Sequence, residues 1–418
     1  MENMKKTRAR RPSPVASRGT FRTGSDFDNL SGAGAAPSRM MSRARQLGLL
    51  IAACGLSSAL SSTVWAASQT VGDFTENNAA SKDSVNLASG GSWVVAPIPK
   101  SSPTLGAGLQ PVVLYMHPPK QDNPNRESAI TGVGGLYTDN NSYVVGAFHK
   151  DYLFQGRLRT MMALGKGKLN LNYFGVGDSG FLTDHPLGYS IEMDVLYLGV
   201  QARIPHTEHW YFGPNFLYTQ GTVSFRLSEL APIFPDVGRS VNIAALGLDL
   251  SYDTRDDSLY PKDGTYFTAS VSDYGETWGG DYDYRKYGLS LSHYFSLGPK
   301  LVLAANGEMK GSSGDVPFFD MPNLGIRGYE SGRFIDDFTF MTRAELRYQF
   351  RPRWGFVTFA DGGMVNDSIS GLLSGEAGLG YGVGVRYRAS EGSTLNLSLD
   401  VARTSEDTGI YIRVGEMF

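Results

Sequence analysis

From Ser92 onward, apolar residues recur at every second position in stretches of about ten residues, set apart by Gly, Pro, Asp and Asn. A period of two belongs to a strand, whose successive side chains leave opposite faces. The pattern predicts strands near 92–98, 104–116, 127–138, 142–150, 155–174, 187–205, 209–226, 241–254, 264–276, 282–297, 300–311, 338–351, 354–366, 374–389, 393–404 and 409–418. That is about sixteen, an even number, as a closed single-chain bacterial barrel requires. In 394–401, Leu395, Leu397, Leu399 and Val401 alternate with Thr394, Asn396, Ser398 and Asp400. In 246–253, Leu246, Leu248, Leu250 and Tyr252 oppose Gly247, Asp249, Ser251 and Asp253. One aliphatic and one polar face per strand fits a wide barrel with a greasy exterior and a wet lumen. The expected fold is all-β: a single transmembrane antiparallel barrel over residues 92–418.

Connections alternate between short turns, such as Ser296–Lys300 and Ala389–Ser393, and longer ones, of which 312–337 is the longest. Barrels of this kind keep short turns in the periplasm and long loops outside. Counting back from the last strand puts 312–337 on the extracellular side. The final strand is expected to run to Phe418, with Ile410, Ile412 and Val414 on one face and a closing aromatic at the periplasmic boundary.

No window after residue 66 approaches the roughly 18–20 apolar residues of a membrane helix. Residues 1–45 hold 10 Lys and Arg against 3 Asp and Glu, leaving 28 against 38 for the rest, so the two parts carry opposite charge. The basic stretch ends in Arg45 and an uncharged run follows from Gln46 to Ala66. This reads as a secretory signal cut after Val64-Trp65-Ala66. Residues 1–39 are then a long signal extension or an over-called start, the latter being the expected reading, with Met40 or Met41 the initiator. Cys54 is the only cysteine, which excludes an intramolecular disulfide. Its setting, Ile51-Ala52-Ala53-Cys54, also reads as a lipoprotein cleavage box. Residues 67–91 are polar and aperiodic, a flexible periplasmic lead-in.

Four segments stand out on consecutive predicted elements. The first is Asp253-Thr-Arg255-Asp256 with Pro261-Lys-Asp-Gly264. The second is Leu324-Gly-Ile-Arg327-Gly328-Tyr329, the third Arg343-Ala-Glu345-Leu-Arg347, and the fourth Phe359-Ala-Asp361-Gly-Gly363. Together, in this order, they resemble the BamA/TamA family, also called the bacterial surface antigen family, over residues 92–418. The resemblance implies a periplasmic turn at Asp253–Gly264, and a long loop whose Arg-Gly-Tyr tip folds back into the lumen toward the Phe-x-Asp-x-Gly strand. Alternation alone turns Arg343, Glu345 and Arg347 away from lipid on the strand at 338–351, with Ala344, Leu346 and Tyr348 toward it. Asp361 shares a face with Phe359 and Gly363, and a charge is cheap there only in the lumen. Arg327 is therefore expected to pair with Glu345, Asp361 or both. Gly378, Gly380, Gly382 and Gly384 occupy one face of the strand at 374–389, either as a smooth bed for a packed segment or as a small-residue lining.

Enzyme chemistry is not expected. His206 and His209 lie in a predicted turn rather than on a helix, so their spacing has no zinc-binding scaffold. His117, His149, His185 and His293 have no neighbouring nucleophile pattern, since adjacency puts Ser292 and His293 on opposite faces of a strand, and no Gly-x-Ser-x-Gly elbow appears. No cofactor, catalytic set or metal is expected, and an acidic barrel without a basic patch argues against nucleic acid. The resemblance implies insertion or translocation of proteins or lipids at the outer membrane. Partners would be outer-membrane lipids, client proteins, a periplasmic protein supplying client-binding domains, or a second copy of the chain. Family members carry periplasmic POTRA domains, for which residues 67–91 leave no room. Trp93-Val-Val-Ala-Pro97-Ile-Pro99 makes a weak seam between first and last strands plausible, since proline gives no ladder hydrogen bond. The rival expectation is a passive or gated channel.

Overall fold

A computed structural model describes residues 92–118, 129–177, 180–229, 235–258, 260–388 and 396–418. The signal run, Met40, Met41, Cys54, the 67–91 lead-in and the 389–393 turn lie outside the described residues. Sixteen strands follow in chain order: β1 (Ser92–Ser102), β2 (Gly106–Met116), β3 (Ile130–Thr138), β4 (Tyr143–Leu153), β5 (Leu158–Tyr173), β6 (Leu187–Arg203), β7 (Trp210–Phe225) and β8 (Val237–Asp253). The second half comprises β9 (Gly264–Tyr274), β10 (Tyr284–Gly298), β11 (Leu301–Gly314), β12 (Phe338–Arg351), β13 (Trp354–Asn366), β14 (Glu376–Arg388), β15 (Asn396–Arg403) and β16 (Thr408–Val414). Each is antiparallel to its neighbours, and β1 meets β16 to close the barrel.

Every expected strand is present, two of them (β12 and β13) with the expected bounds. The expected inside–outside alternation holds best in β12 to β15. Leu397, Leu399 and Val401 are exposed on the outer face, while Asn396, Ser398 and Asp400 are buried on the inner one. Leu346 and Tyr348 likewise face out, and Arg343, Glu345 and Arg347 are buried. Leu246 and Leu248 are exposed on β8, and Ser251 is buried.

Three expectations need correction. The final strand does not reach Phe418: β16 ends at Val414, and Gly415 turns the chain with φ 94°. Burying the Glu416 carboxylate against Arg386 and Asn396 offsets the ladder that is given up. Phe418 then lies under the Arg347 guanidinium, 5.5 Å from its ring centroid, rather than at the end of a strand. The first strand is longer than the expected 92–98, because the ladder with β2 continues past Pro97 and Pro99 to Ser102 opposite Gly106.

The third correction concerns the wet lumen. On β1 to β5 the inward side chains Ile98, Val112, Leu114, Ile130, Phe148 and Ala163 form a buried apolar cluster. A larger one gathers Leu169, Leu171, Ile191, Met193, Val241 and Ile243 around Phe319 of the β11–β12 connection. These inner faces meet one another and that connection, so apolar side chains are sheltered there as in any core.

Candidate functional site

The β11–β12 connection, residues 315–337, packs Phe319 into the larger inner apolar cluster and, further along, meets the inward side chains of β12 and β13. Its centre is Arg327, which is 1% exposed. The guanidinium grips Asp361 of β13 with two parallel bonds, Nε to Oδ2 and Nη2 to Oδ1, both 2.7 Å. Its third nitrogen, Nη1, donates to Glu345 Oε1 of β12 at 2.6 Å. The Arg327 backbone N–H also donates to Asp361 Oδ2, at 3.2 Å. Beneath the guanidinium plane sits the Phe359 ring, 3.5 Å from centroid to Cζ. Asp361 and Arg343 are register partners across β12 and β13, and Phe359 is opposite Glu345, so the ladder itself assembles these groups. A planar fork on a carboxylate and over an aromatic ring is a task for arginine, not lysine.

The pair belongs to a larger network that sequence reasoning did not reach. Glu345 Oε2 also accepts from Arg347 Nε at 2.9 Å. Arg386 of β14 bonds Asp400 of β15 and, through Nε, Glu416 at 2.7 Å. Arg413 of β16 closes on Asp400, which stands 3.5 Å from Arg327 Nη1. Four guanidinium groups (Arg327, Arg347, Arg386, Arg413) thus meet four carboxylates (Glu345, Asp361, Asp400, Glu416). Charge balance is what makes the burial tolerable, because an unmatched ion out of water costs several kcal/mol, of the order of 3–5 when one partner is removed. Asp400 was visible in the sequence as a member of a polar strand face; Arg386 and Arg413 share that inward parity on their own strands.

Around Arg327 the backbone fits closely. Gly328 has φ 106°, which favours glycine, and a Cβ there would strike the Thr404 side chain. The Gly328 N–H donates to the Tyr411 hydroxyl at 2.7 Å, and the Tyr329 hydroxyl meets Ser405 Oγ at 3.1 Å. A Cβ at Gly380 would overlap the Arg327 carbonyl, one at Gly378 would meet Phe334 and Ile326, and one at Gly363 would crowd Leu324. Gly382 and Gly384 leave room instead for the Phe359 ring and for the Asp400–Arg386 pair. The glycine row is therefore half a bed for the segment and half a bed for the side chains that hold it.

Two further attachments tie the segment down. Lys286 of β10 is 2% exposed; its Nζ donates to the Asp320 carbonyl at 2.6 Å and stands 3.1 Å from Asp320 Oδ1. The Tyr284 hydroxyl donates to the other oxygen of Asp320. At the far end Arg333 reaches Glu376 at 2.9 Å and Glu406 at 2.8 Å. Lone charges on an inward strand position are the only sequence signal for such pairs.

The remaining candidates lie in two turns, one of which, the β8–β9 connection, borders the network where the Tyr294 ring stands 5.7 Å from the Arg347 guanidinium. In the β8–β9 connection Arg255 Nε and Nη2 bond the two oxygens of Asp253 at 3.0 Å each, and the guanidinium lies 4.0 Å from the Tyr266 ring centroid. Asp256 Oδ1 accepts from the backbone N–H groups of Asp257, Lys262 and Asp263, beside buried Pro261. Gly264, with φ 105°, starts β9 where a side chain would run into the Thr254 carbonyl. The motif thus builds a self-capped turn. His206 and His209 sit in the β6–β7 turn, with His209 Nδ1 3.0 Å from the Asp253 carbonyl. Among the described residues no group of three or more His, Cys, Asp or Glu is placed to hold a metal ion.

A closed antiparallel barrel of sixteen strands, with an aliphatic belt outside, defines an integral outer-membrane protein of bacteria. Residues 148–418 match the Omp85 superfamily domain, and the chain belongs to that superfamily. In fold it is similar to BamA from Haemophilus ducreyi lacking POTRA domains 1–3, at 14% identity and TM-score 0.53, over 78% of this chain and 70% of that one. It is also similar to CdiB from Escherichia coli, at 13% identity and TM-score 0.50, over 76% of this chain and 62% of that one. CdiB from Acinetobacter baumannii aligns at 13% identity and TM-score 0.52, over 78% and 60%. The chain thus spans less than two thirds of the length of the CdiB chains. No curated protein sequence matches it.

Proposed function

We propose that this barrel inserts or translocates other molecules, proteins or lipids, at the outer membrane through a seam between β1 and β16, with residues 315–337 as a plug inside the lumen on the extracellular side. The observation that carries the reading is the seam's poverty. β1 and β16 share one register pair, Ser101 with Ile412. The neighbouring ladder of β15 with β16 runs unbroken from Leu397 opposite Val414 to Arg403 opposite Thr408. Pro97 and Pro99 remove two donors from β1, and unpaired edge groups are a template for an incoming strand. Seven residues of β16 are also fewer than the roughly 9–11 that a strand needs to cross the hydrocarbon. Arg327 and its partners hold the plug while the seam is idle. A periplasmic partner protein supplies the client-binding domains, and outer-membrane lipids or membrane-protein precursors are the clients.

The test is a disulfide across Ser101→Cys and Ile412→Cys. Under oxidising conditions the locked barrel is expected to lose delivery of its clients, identified beforehand as the outer-membrane proteins or lipids that fall when the protein is depleted. Full delivery with the seam locked would overturn the reading. The alternative, a passive channel, is favoured by a large steady conductance of the wild-type protein in planar bilayers. A closed barrel that conducts after residues 315–337 are deleted favours the plug.

A further inference from the structure

The faces of β5 to β8 exchange character partway along. Toward the end that carries the β8–β9 turn, the outward residues are Met162 and Leu164 on β5, Leu198 and Val200 on β6, Phe212 on β7, and Leu246 and Leu248 on β8, all exposed. Toward the end that carries residues 315–337, the outward positions become Lys166, Glu192, Asp194, Gln220, Asn242 and Ser240. The change is not a bulge. β5 pairs with β6 without a break from Leu158 opposite Ala202 to Tyr173 opposite Leu187. β7 pairs with β8 without a break from Trp210 opposite Tyr252 to Phe225 opposite Val237. Parity is thus conserved, and Lys166 leaves the same face as Leu164.

The inner face changes in the opposite sense. Where the exterior turns polar, the interior turns apolar: Leu169, Leu171, Ile191, Met193, Val223, Val241 and Ile243 are buried together. Phe318 of the 315–337 segment seats among them, with ring centroids 4.7 Å from Tyr173, 5.3 Å from Tyr189 and 5.2 Å from Phe225. Polar outside and dry inside is the arrangement of a strand in water, not in lipid.

The register places the crossover at one level. Lys166 is opposite Asp194, Asp194 opposite Gln220, and Gln220 opposite Asn242. Lys166 Nζ lies 3.4 Å from Asp194 and 3.9 Å from Glu192, with the three side chains 53%, 63% and 48% exposed. Length agrees: β5 to β8 have 16 or 17 residues each, against the roughly 9–11 that cross the hydrocarbon.

We infer that the outer hydrocarbon boundary crosses β5 to β8 at the ring Lys166, Asp194, Gln220 and Asn242, where lipid headgroups meet the barrel. Beyond it the four strands stand in water as an extracellular wall, whose inner face seats Phe318. The orientation rests on the proposed function; the position of the boundary does not. The exchange of faces makes the wall a surface for headgroups and aqueous partners rather than for acyl chains.

Single cysteines test it, in the full chain with Cys54→Ser. Lys166→Cys, Glu192→Cys, Gln220→Cys and Ser240→Cys sample the polar ring and wall. Leu164→Cys, Leu198→Cys, Phe212→Cys and Leu248→Cys sample equally exposed outward sites below it. Only a solvated thiolate reacts, so a charged, membrane-impermeant maleimide on intact cells is expected to label the first four at least about tenfold faster than the second four. Denatured samples of all eight should label alike. Equal protection of both sets in native membranes, intact or permeabilised, would overturn the boundary. Labelling of the first set only after permeabilisation would keep the boundary, overturn the extracellular wall and reverse the orientation.

Discussion

Arg327 and Asp361 meet as two forks, each nitrogen of one edge of the guanidinium facing its own carboxylate oxygen at 2.7 Å, with neither group open to water. The contact joins a connection to the strand that starts seventeen residues after that connection ends, and it is buried within a neutral cluster of eight charges. Removing or inverting one member leaves the others unmatched.

Arg327→Glu is therefore expected to destabilise the docked segment by about 3–5 kcal/mol. On gels the folded, fast-migrating form should be lost at a lower temperature than in the wild type. Arg327→Glu combined with Asp361→Arg should recover part of the loss. Arg327→Lys should fall between, because an ammonium cannot span both oxygens. Equal heat resistance of all four proteins would remove the lock from the account.

The close approach of Gly380 to the Arg327 carbonyl gives a test that leaves every charge in place. Gly380→Ala should push the segment from its bed and raise bilayer conductance, whereas Gly307→Ala, where an added Cβ meets nothing within 4 Å, should not.

Lys286 and Asp320 provide a separate attachment. Lys286→Met strands the Asp320 carboxylate in a dry site and is expected to loosen residues 315–320, seen as faster hydrogen exchange there. Lys286→Met with Asp320→Leu should restore much of the protection, since an apolar pair of similar volume often replaces a buried ion pair at little cost.

Glu330 makes docking sensitive to pH. Burial raises its carboxyl above the ordinary range, the Asn172 amide bond of 2.9 Å pulls it partly back, and the charge of Asp407 adds to the rise. A carboxyl raised in the docked state binds its proton more tightly there. Its contribution to docking is thus fully present below the ordinary value and fades as pH rises through the raised one. Conductance should therefore increase as pH rises above the ordinary glutamate value of about 4 in the wild type, and Glu330→Gln should flatten that part of the profile.

Local alternation carries long-range information in this chain, and it does so unevenly. β12 and β13 were readable to the residue because exposed and buried positions alternate along both and a two-residue turn at 352–353 joins them. The pairing of Arg327 with Asp361 and Glu345 was readable as a set of options, since parity puts all the acids on one face. Its extension through Asp400, Arg386, Arg413 and Glu416 was not, because those contacts are diagonal ones that depend on the register between neighbouring strands, or follow a bend at Gly415 that a strand pattern conceals. The wall on β5 to β8 left a trace that a single-phase reading discards: Met162 and Leu164 occupy even positions, Leu169 and Leu171 odd ones. Apolar residues thus change phase while the ladder does not. The early start of β8 at Val237 escaped for the same reason, its outward residues being polar.

The bend at Gly415 bears on how a barrel could part without coming undone. Beyond its single pairing with β1, the closing strand is held by its unbroken ladder with β15 and from within by Glu416, which reaches Arg386 and Asn396 two strands and one strand away. Such a fastening acts like a hinge pin: the edge could swing clear of its neighbour and return to the same place, because what fixes its position is not what has to break.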